Sequence, residues 1–144
     1  MRRARQRFGA QLLPADPRGM RALYQALERG ELVGILPDQV PAQRAGSVFA
    51  PFFGIPTATM VLLPRLALKS GAAVMFAYAE RLAQGGQYDL HFVTTPEDIG
   101  RDGVEPAATM MNRMVEQCAR ALPEQYQWIY KRFRVRPPGA AGFY

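Results

Sequence analysis

Met20, Leu23, Tyr24 and Leu27 recur at i, i+3, i+4 and i+7, which draws one apolar stripe along a helix. Asp16 can cap its start, Pro17 suits the first helical position, and Gly30 ends it. Short bounded apolar runs stand on either side, "AQLLP" before the helix and residues 32–36 after it, and both read as buried strands. Strand, helix, strand in that order predicts a parallel pair joined by a right-handed crossover. No helical pattern returns across residues 37–56. Loops of that length are uncommon in compact domains and are usually functional or disordered. With Val48, Phe49, Phe52, Phe53 and Ile55 inside it, this one is too apolar for disorder.

Further on, "TATMVLLPRLALKSG" reads as a helix capped by Thr57 or Thr59, closed by Gly71, apolar nearly all round and kinked at Pro64. Arg65 and Lys69, four apart, share one of its faces. "AAVMFAYAERL" predicts a central strand, with "QYDLHFVTT" as its antiparallel neighbour across the "QGGQ" turn. Tyr88, Leu90 and Phe92 then fall on one side, Asp89 and His91 on the other. Met110, Met111, Met114, Val115, Cys118 and Leu122 form a helical stripe opposed by Asn112, Arg113, Glu116, Gln117 and Arg120. After Pro123, Tyr126, Ile129, Tyr130 and Phe133 repeat the helical spacing. The expectation is one α/β domain over residues 1–136, a mixed sheet flanked by helices, with an irregular tail at 137–144.

Charge narrows the partners. Eighteen Lys+Arg against 12 Asp+Glu give +6, which favours an anionic ligand or surface. One cysteine and one histidine exclude an internal disulfide and a metal-ligand cluster, and no cofactor is expected. The start "MRRARQRFGAQLLPADP" is basic, but its apolar stretch is too short for a signal peptide. "MVLLP" and "AAVMFAYA" fall far short of the ~20 apolar residues of a membrane span.

No complete catalytic set emerges from the residues themselves. His91 is the only imidazole, and in "YDLHFV" a polar-face histidine is the plainer reading than a base. Ser47 and Ser70 lie outside any nucleophile-elbow pattern, and Cys118 lies on an apolar stripe, where free cysteine behaves as a small hydrophobe. Asp38 follows an apolar run, where open α/β sheets place ligands, and it equally suits a turn aspartate bonded to its own backbone. Gln39 adds an amide beside it. Arg5, Arg7, Arg44, Arg65 and Lys69 could bring positive charge to the same edge.

"LPDQVPAQRAGSVFAPFFGIPTAT", then "PRLALKSGAAV", then "PEQYQWIYKRFRVRP" resemble, in that order, the C-terminal half of the bacterial late acyltransferases of lipid A biosynthesis, the lauroyl/myristoyl transferase family. The resemblance covers nearly the whole chain. It implies the C-terminal part of the glycerolipid (lysophospholipid) acyltransferase fold. It also implies transfer of an acyl chain from acyl carrier protein or acyl-CoA to a hydroxyl of a phosphorylated glucosamine lipid, at the cytoplasmic face of a Gram-negative inner membrane. Family members use a His-x4-Asp/Glu motif as an oriented general base. Here the residue five beyond His91 is Pro96, and His91 follows "LPDQ" rather than preceding it. The expectation is therefore no catalytic residue in this chain, which would begin after the catalytic motif and the family's N-terminal membrane helix. The "LPDQ" block matches the acidic motif of related glycerolipid acyltransferases, so Asp38 and Gln39 are expected to be the polar part of a substrate lining, and Phe49, Phe52 and Phe53 the apolar part. Arg5 and Arg7 stand where the family carries basic residues able to meet phosphate.

Two other readings stay in view. The stretch "WIYKRFRVR" interleaves aromatics with cations as single-strand nucleic-acid binders do, but no nucleic-acid motif accompanies it and no nucleic-acid partner is expected. A non-catalytic basic module on an anionic membrane is the stronger alternative.

Overall fold

The computed structural model describes residues 6, 9–41, 46–83, 85–95, 99 and 102–144. The chain divides into two units, Met1–Gly34 and Ile35–Tyr144. In the first, helix α1 spans Pro17–Glu28 as its stripe and signals predict. Asp16 Oδ1 accepts from Gly19 N at 2.8 Å, satisfying one of the free N–H groups at the helix start. Gly19 is buried and admits no side chain, because a Cβ there would lie 1.9 Å from the Pro14 carbonyl oxygen. Gly30, at φ 75°, donates to Leu27 O and closes the far end.

The expected parallel pair does not form among the described residues. Residues 10–14 and 31–36 are irregular and belong to no ladder. An apolar run becomes a buried strand only when another strand takes up its N–H and C=O groups, and none does; Leu32 stands 99% exposed.

The second unit holds two antiparallel ribbons and two helices: β1 Ser47–Phe52, β2 Ile55–Met60, α2 Leu62–Ser70, β3 Met75–Arg81, β4 Tyr88–Thr94 and α3 Val104–Ala121. β1 and β2 lie where the sequence pattern gave only loop and helix. Phe53 and Gly54, at φ 49° and 76°, make a two-residue turn of the kind that needs positive φ twice. Pro51 faces Pro56 across the ribbon, one pair beyond the bonded pair Phe52–Ile55 that flanks the turn. Alternation makes that a non-bonded pair, so both proline nitrogens point away from the partner strand and no ladder bond is lost. α2 therefore starts only at Leu62. Pro64 falls in its first turn, where an N–H would have no helical acceptor, so the expected kink has no cause. The helix is buried through Pro64, Leu66 and Ala67 alone, while Leu68 is exposed. Gly71 caps it at φ 66°, as expected.

β3 and β4 pair one to one from Met75–Thr94 to Arg81–Tyr88, as alternation and the glycine turn predict. β3 is an edge strand rather than a central one. α3 lies across β1 and supplies Met111, Met114 and Val115 to a core completed by Phe52, Phe76 and Phe133. The spacing of residues 126–133 does not yield a helix: 123–134 run through successive tight turns, with Phe133 buried and Ile129 87% exposed. Residues 137–144 form neither helix nor strand, and Phe143 packs on Phe133 with ring centroids 4.5 Å apart.

A polar knot binds these parts. Asn112, expected on the solvent side of α3, is 1% exposed, and Arg132, expected among outward cations, is 3% exposed. Arg132 Nη1 donates to Ala58 O at 2.6 Å, and Nη2 reaches Thr59 Oγ1 at 3.2 Å and Asn112 Oδ1 at 3.3 Å. Asn112 Nδ2 donates to Pro51 O and to Thr59 Oγ1, both at 2.9 Å. The guanidinium also lies 5.4 Å from the centre of the Phe52 ring. Burial lowers the Arg132 pKa, opposed by the surrounding tyrosines and Asp38.

Candidate functional site

Residues 35–38, which enter a turn at Pro37 and Asp38, form one wall of a cavity of about 280 Å³. β3 forms a second wall, and Val115, Cys118 and Ala119 of α3, with Leu122 just past its end, at i, i+3, i+4 and i+7, line it with apolar groups. Tyr126 and Gln125, in the turns after α3, close it. Among the lining residues Asp38 is the only acid, and none is basic.

Asp38 is half-buried and its segment is anchored two residues on, where Val40 N donates to the Tyr130 hydroxyl at 2.8 Å. Burial, reinforced by the Asp38 carboxylate, pushes the Tyr126 phenol up to about 12, so it keeps its proton at neutral pH and remains a donor. Burial also raises the Cys118 thiol, which leaves it protonated and a poor nucleophile. A cavity with this lining can hold an apolar chain and orient a polar group at Asp38; no histidine is among its lining residues.

The other expected site residues are spread out. Gln39 is exposed and does not line the cavity. Phe49 lies on β1, 40% exposed, and Phe52 is in the core at 1%. Phe53 occupies the β1–β2 turn, where its N–H donates to Glu116 Oε1 at 2.7 Å and its ring meets Trp128 and the Arg120 guanidinium. Arg65 is on the exposed side of α2. Arg5, Arg7 and Arg44 lie outside the described residues. Sequence reading missed Tyr126 and Gln125, which it assigned to a helix, and read Cys118 only as core. Their signal was position alone: Cys118 and Leu122 sit on the stripe of α3 that faces β3.

His91 does have a carboxylate partner, across the ribbon rather than at the His-x4 spacing. Its Nε2 lies 2.8 Å from Glu80 Oε2, and its ring stacks on Tyr78 at 4.8 Å. Neither His91 nor Glu80 lines the cavity.

The second unit thus brings one carboxylate, Asp38, to a cavity lined mostly by apolar groups, the usual make-up of a small-molecule site. The family model of the bacterial lipid A biosynthesis acyltransferases matches residues 1–135, and the chain belongs to that family. It is 34% identical over 130 residues to the lipid A biosynthesis lauroyltransferase of Escherichia coli (strain K12), covering 90% of this chain and 42% of that protein. To the palmitoleoyltransferase of the same organism it is 38% identical, covering 87% of this chain and 40% of that protein. With the myristoyltransferase the identity is 31%, over 94% and 41%. The chain thus spans about two-fifths of the length of these relatives.

Proposed function

We propose that this chain is the substrate-lining part of an acyltransferase that moves a fatty acyl group from acyl carrier protein or acyl-CoA to a hydroxyl of a lipid A precursor. The family match along residues 1–135 carries the reading, and the cavity at Asp38 fits it chemically. In such a transfer the acceptor oxygen attacks the thioester carbonyl, its proton passes to a base, and the thiolate leaves. A positioned base contributes ~10²–10⁴-fold to a step of this kind. Residues 1–144 hold one histidine, with Pro96 five positions on, so this chain alone does no transfer. Asp38 would meet the polar part of the substrate, with Val115, Cys118, Ala119 and Leu122 rather than Phe49, Phe52 and Phe53 framing the apolar side; Arg5, Arg7, Arg44 and Arg65 are proposed phosphate partners. The reaction belongs at the cytoplasmic face of the inner membrane, where both substrates meet. The test supplies acyl carrier protein thioester and lipid A precursor to this chain and to a version extended upstream through a His-x4-Asp/Glu motif. The extended protein should turn over and the short one should stay at background. Turnover by the short chain that is abolished in His91→Ala would move the site to the His91–Glu80 pair.

A second reading, a non-catalytic module on anionic lipid, is favoured by Trp128 and Ile129, both exposed, beside exposed Lys131 and Arg134. Among the described residues no helix is long and apolar enough to cross a membrane.

A further inference from the structure

The cavity touches Met75, Phe76, Ala77, Tyr78 and Ala79 in succession. Side chains alternate between the faces of a strand, so a cavity that meets five residues without a gap meets β3 along its edge. Three contacts fix which peptide groups face that edge. Gln125 Oε1 accepts from Arg81 N at 2.8 Å and Gln125 Nε2 donates to Arg81 O at 3.1 Å, so Arg81 turns its peptide groups away from β4. Leu82 N donates to Gln87 O at 3.1 Å, and Val74 O accepts from Thr95 Oγ1 at 2.8 Å, so the residues of opposite parity turn toward β4. The register has no bulge, so Met75, Ala77 and Ala79 share the direction of Arg81 and aim their N–H and C=O groups at the cavity. Beyond the β3–β4 ladder, no hydrogen bond among the described residues reaches these three.

That edge selects its occupant. A bare fatty chain would cover the three donors and three acceptors without bonding any of them, an outcome that costs free energy for each group. A ligand with amides in an extended chain would pair with them as an added strand, as the Gln125 side-chain amide already does at Arg81. Thioester acyl donors carry such a chain: the pantetheine arm common to acyl carrier protein and acyl-CoA has two secondary amides in line, followed by the sulfur and the acyl group. We propose that the free edge of β3 binds the pantetheine arm of the acyl donor, with the acyl group running on along the apolar stripe of α3. This rests on the acyltransferase reading and names the place of the donor.

The experiment is amide hydrogen exchange by NMR on the labelled chain, alone and with dodecanoyl-CoA, dodecanoyl acyl carrier protein or dodecanoic acid. At least one thioester donor should slow exchange at Ala77 and Ala79 about tenfold or more and leave Tyr78, already in the ladder, unchanged; which donor does so identifies the source of the arm. Dodecanoic acid should not slow it. Ala77→Pro deletes one cavity-facing N–H and no ladder bond, and should weaken donor binding about tenfold, whereas Gln117→Leu, outside the cavity lining, should bind as the parent does. Equal slowing by dodecanoic acid, or donor binding with exchange at Ala77 and Ala79 unchanged, overturns the proposal, and the parent chain gives this answer even if the proline variant fails to fold. The acyltransferase reading stands or falls separately, in the transfer assay.

Discussion

Replacing Asn112 by leucine keeps the approximate volume and removes the hub of the buried knot. Four hydrogen bonds go: Nδ2 to Pro51 O and to Thr59 Oγ1, both at 2.9 Å, Oδ1 from Arg132 Nη2 at 3.3 Å, and a marginal one from Nδ2 to Ala50 O at 3.5 Å. At ~1 kcal/mol net for each of the first three, the loss is about 3 kcal/mol. It should lie above rather than below that figure, because the Arg132 Nε already has no partner and the guanidinium has no carboxylate in the knot to offset the missing acceptor. Domains are stable by ~5–15 kcal/mol, so the variant loses a large share. Urea unfolding followed by circular dichroism should show the midpoint falling by roughly 2 M for an m near 1.5 kcal/mol/M, with m unchanged. Gln117→Leu, on the exposed side of the same helix, should stay within ~0.5 kcal/mol. Combined with Arg132→Met, Asn112→Leu should cost much less than the two singles summed, since the second change removes a charge that the first has stranded. A loss under ~1 kcal/mol, or strict additivity, would refute the view that this knot ties β1 and β2 to α3.

Tyr126, with its phenol at about 12 against an ordinary 10, keeps its proton longer in the folded chain than in the unfolded one. Stability should therefore hold below pH 10 and fall as pH rises to about 12; Tyr126→Phe should flatten that slope, and Asp38→Asn should lower the tyrosinate absorbance midpoint. Glu116→Ala strands the Phe53 N–H and should cost ~1–3 kcal/mol, whereas Glu116→Gln keeps an acceptor and should cost under half as much; equal losses by thermal melting would point to packing instead. In an enzymatically active extended version, Asp38→Asn should lower turnover far more than the melting temperature, and near-parental activity would return Asp38 to an ordinary turn role. If the chain docks on anionic vesicles through Lys131 and Arg134, alanine at both should weaken co-sedimentation by ~1 kcal/mol each, and equal sedimentation with neutral lipid would exclude that mode.

What was legible in the sequence followed from patterns with one cause. α1 showed its stripe and both its ends, β3 and β4 alternated around two glycines, and α3 carried an apolar face long enough to average out single exceptions. Where two causes competed, the pattern misled. Pro51 and Pro56 looked like strand breakers because nothing in the linear order says that they face each other at a non-bonded pair. Tyr126, Ile129, Tyr130 and Phe133 kept helical spacing by coincidence, spread over successive turns. Arg132 sat among cations that stay outside, and only the facing acceptors of β2 and α3 explain its burial. Asp38 could be singled out because the end of an apolar run is a recognisable address, and it does line the cavity. Gln125 and Tyr126 reach the same cavity through chain turns that no periodicity encodes.

The facing prolines also decide how the two ribbons meet other chains. On the outer side of the β1–β2 ribbon, Pro51 and Pro56 offer no N–H, and Ala58 N is already taken by Val135 O at 3.4 Å. A foreign strand approaching there would find gaps in its ladder, so that ribbon is a poor template for self-association. Among the described residues, the edge of β3 is covered only at Arg81, by Gln125, and the rest of that edge is methionine and alanines with no proline. Aggregates of this chain should thus nucleate at β3, and a lysine placed at Ala79 should delay them without touching the sealed ribbon.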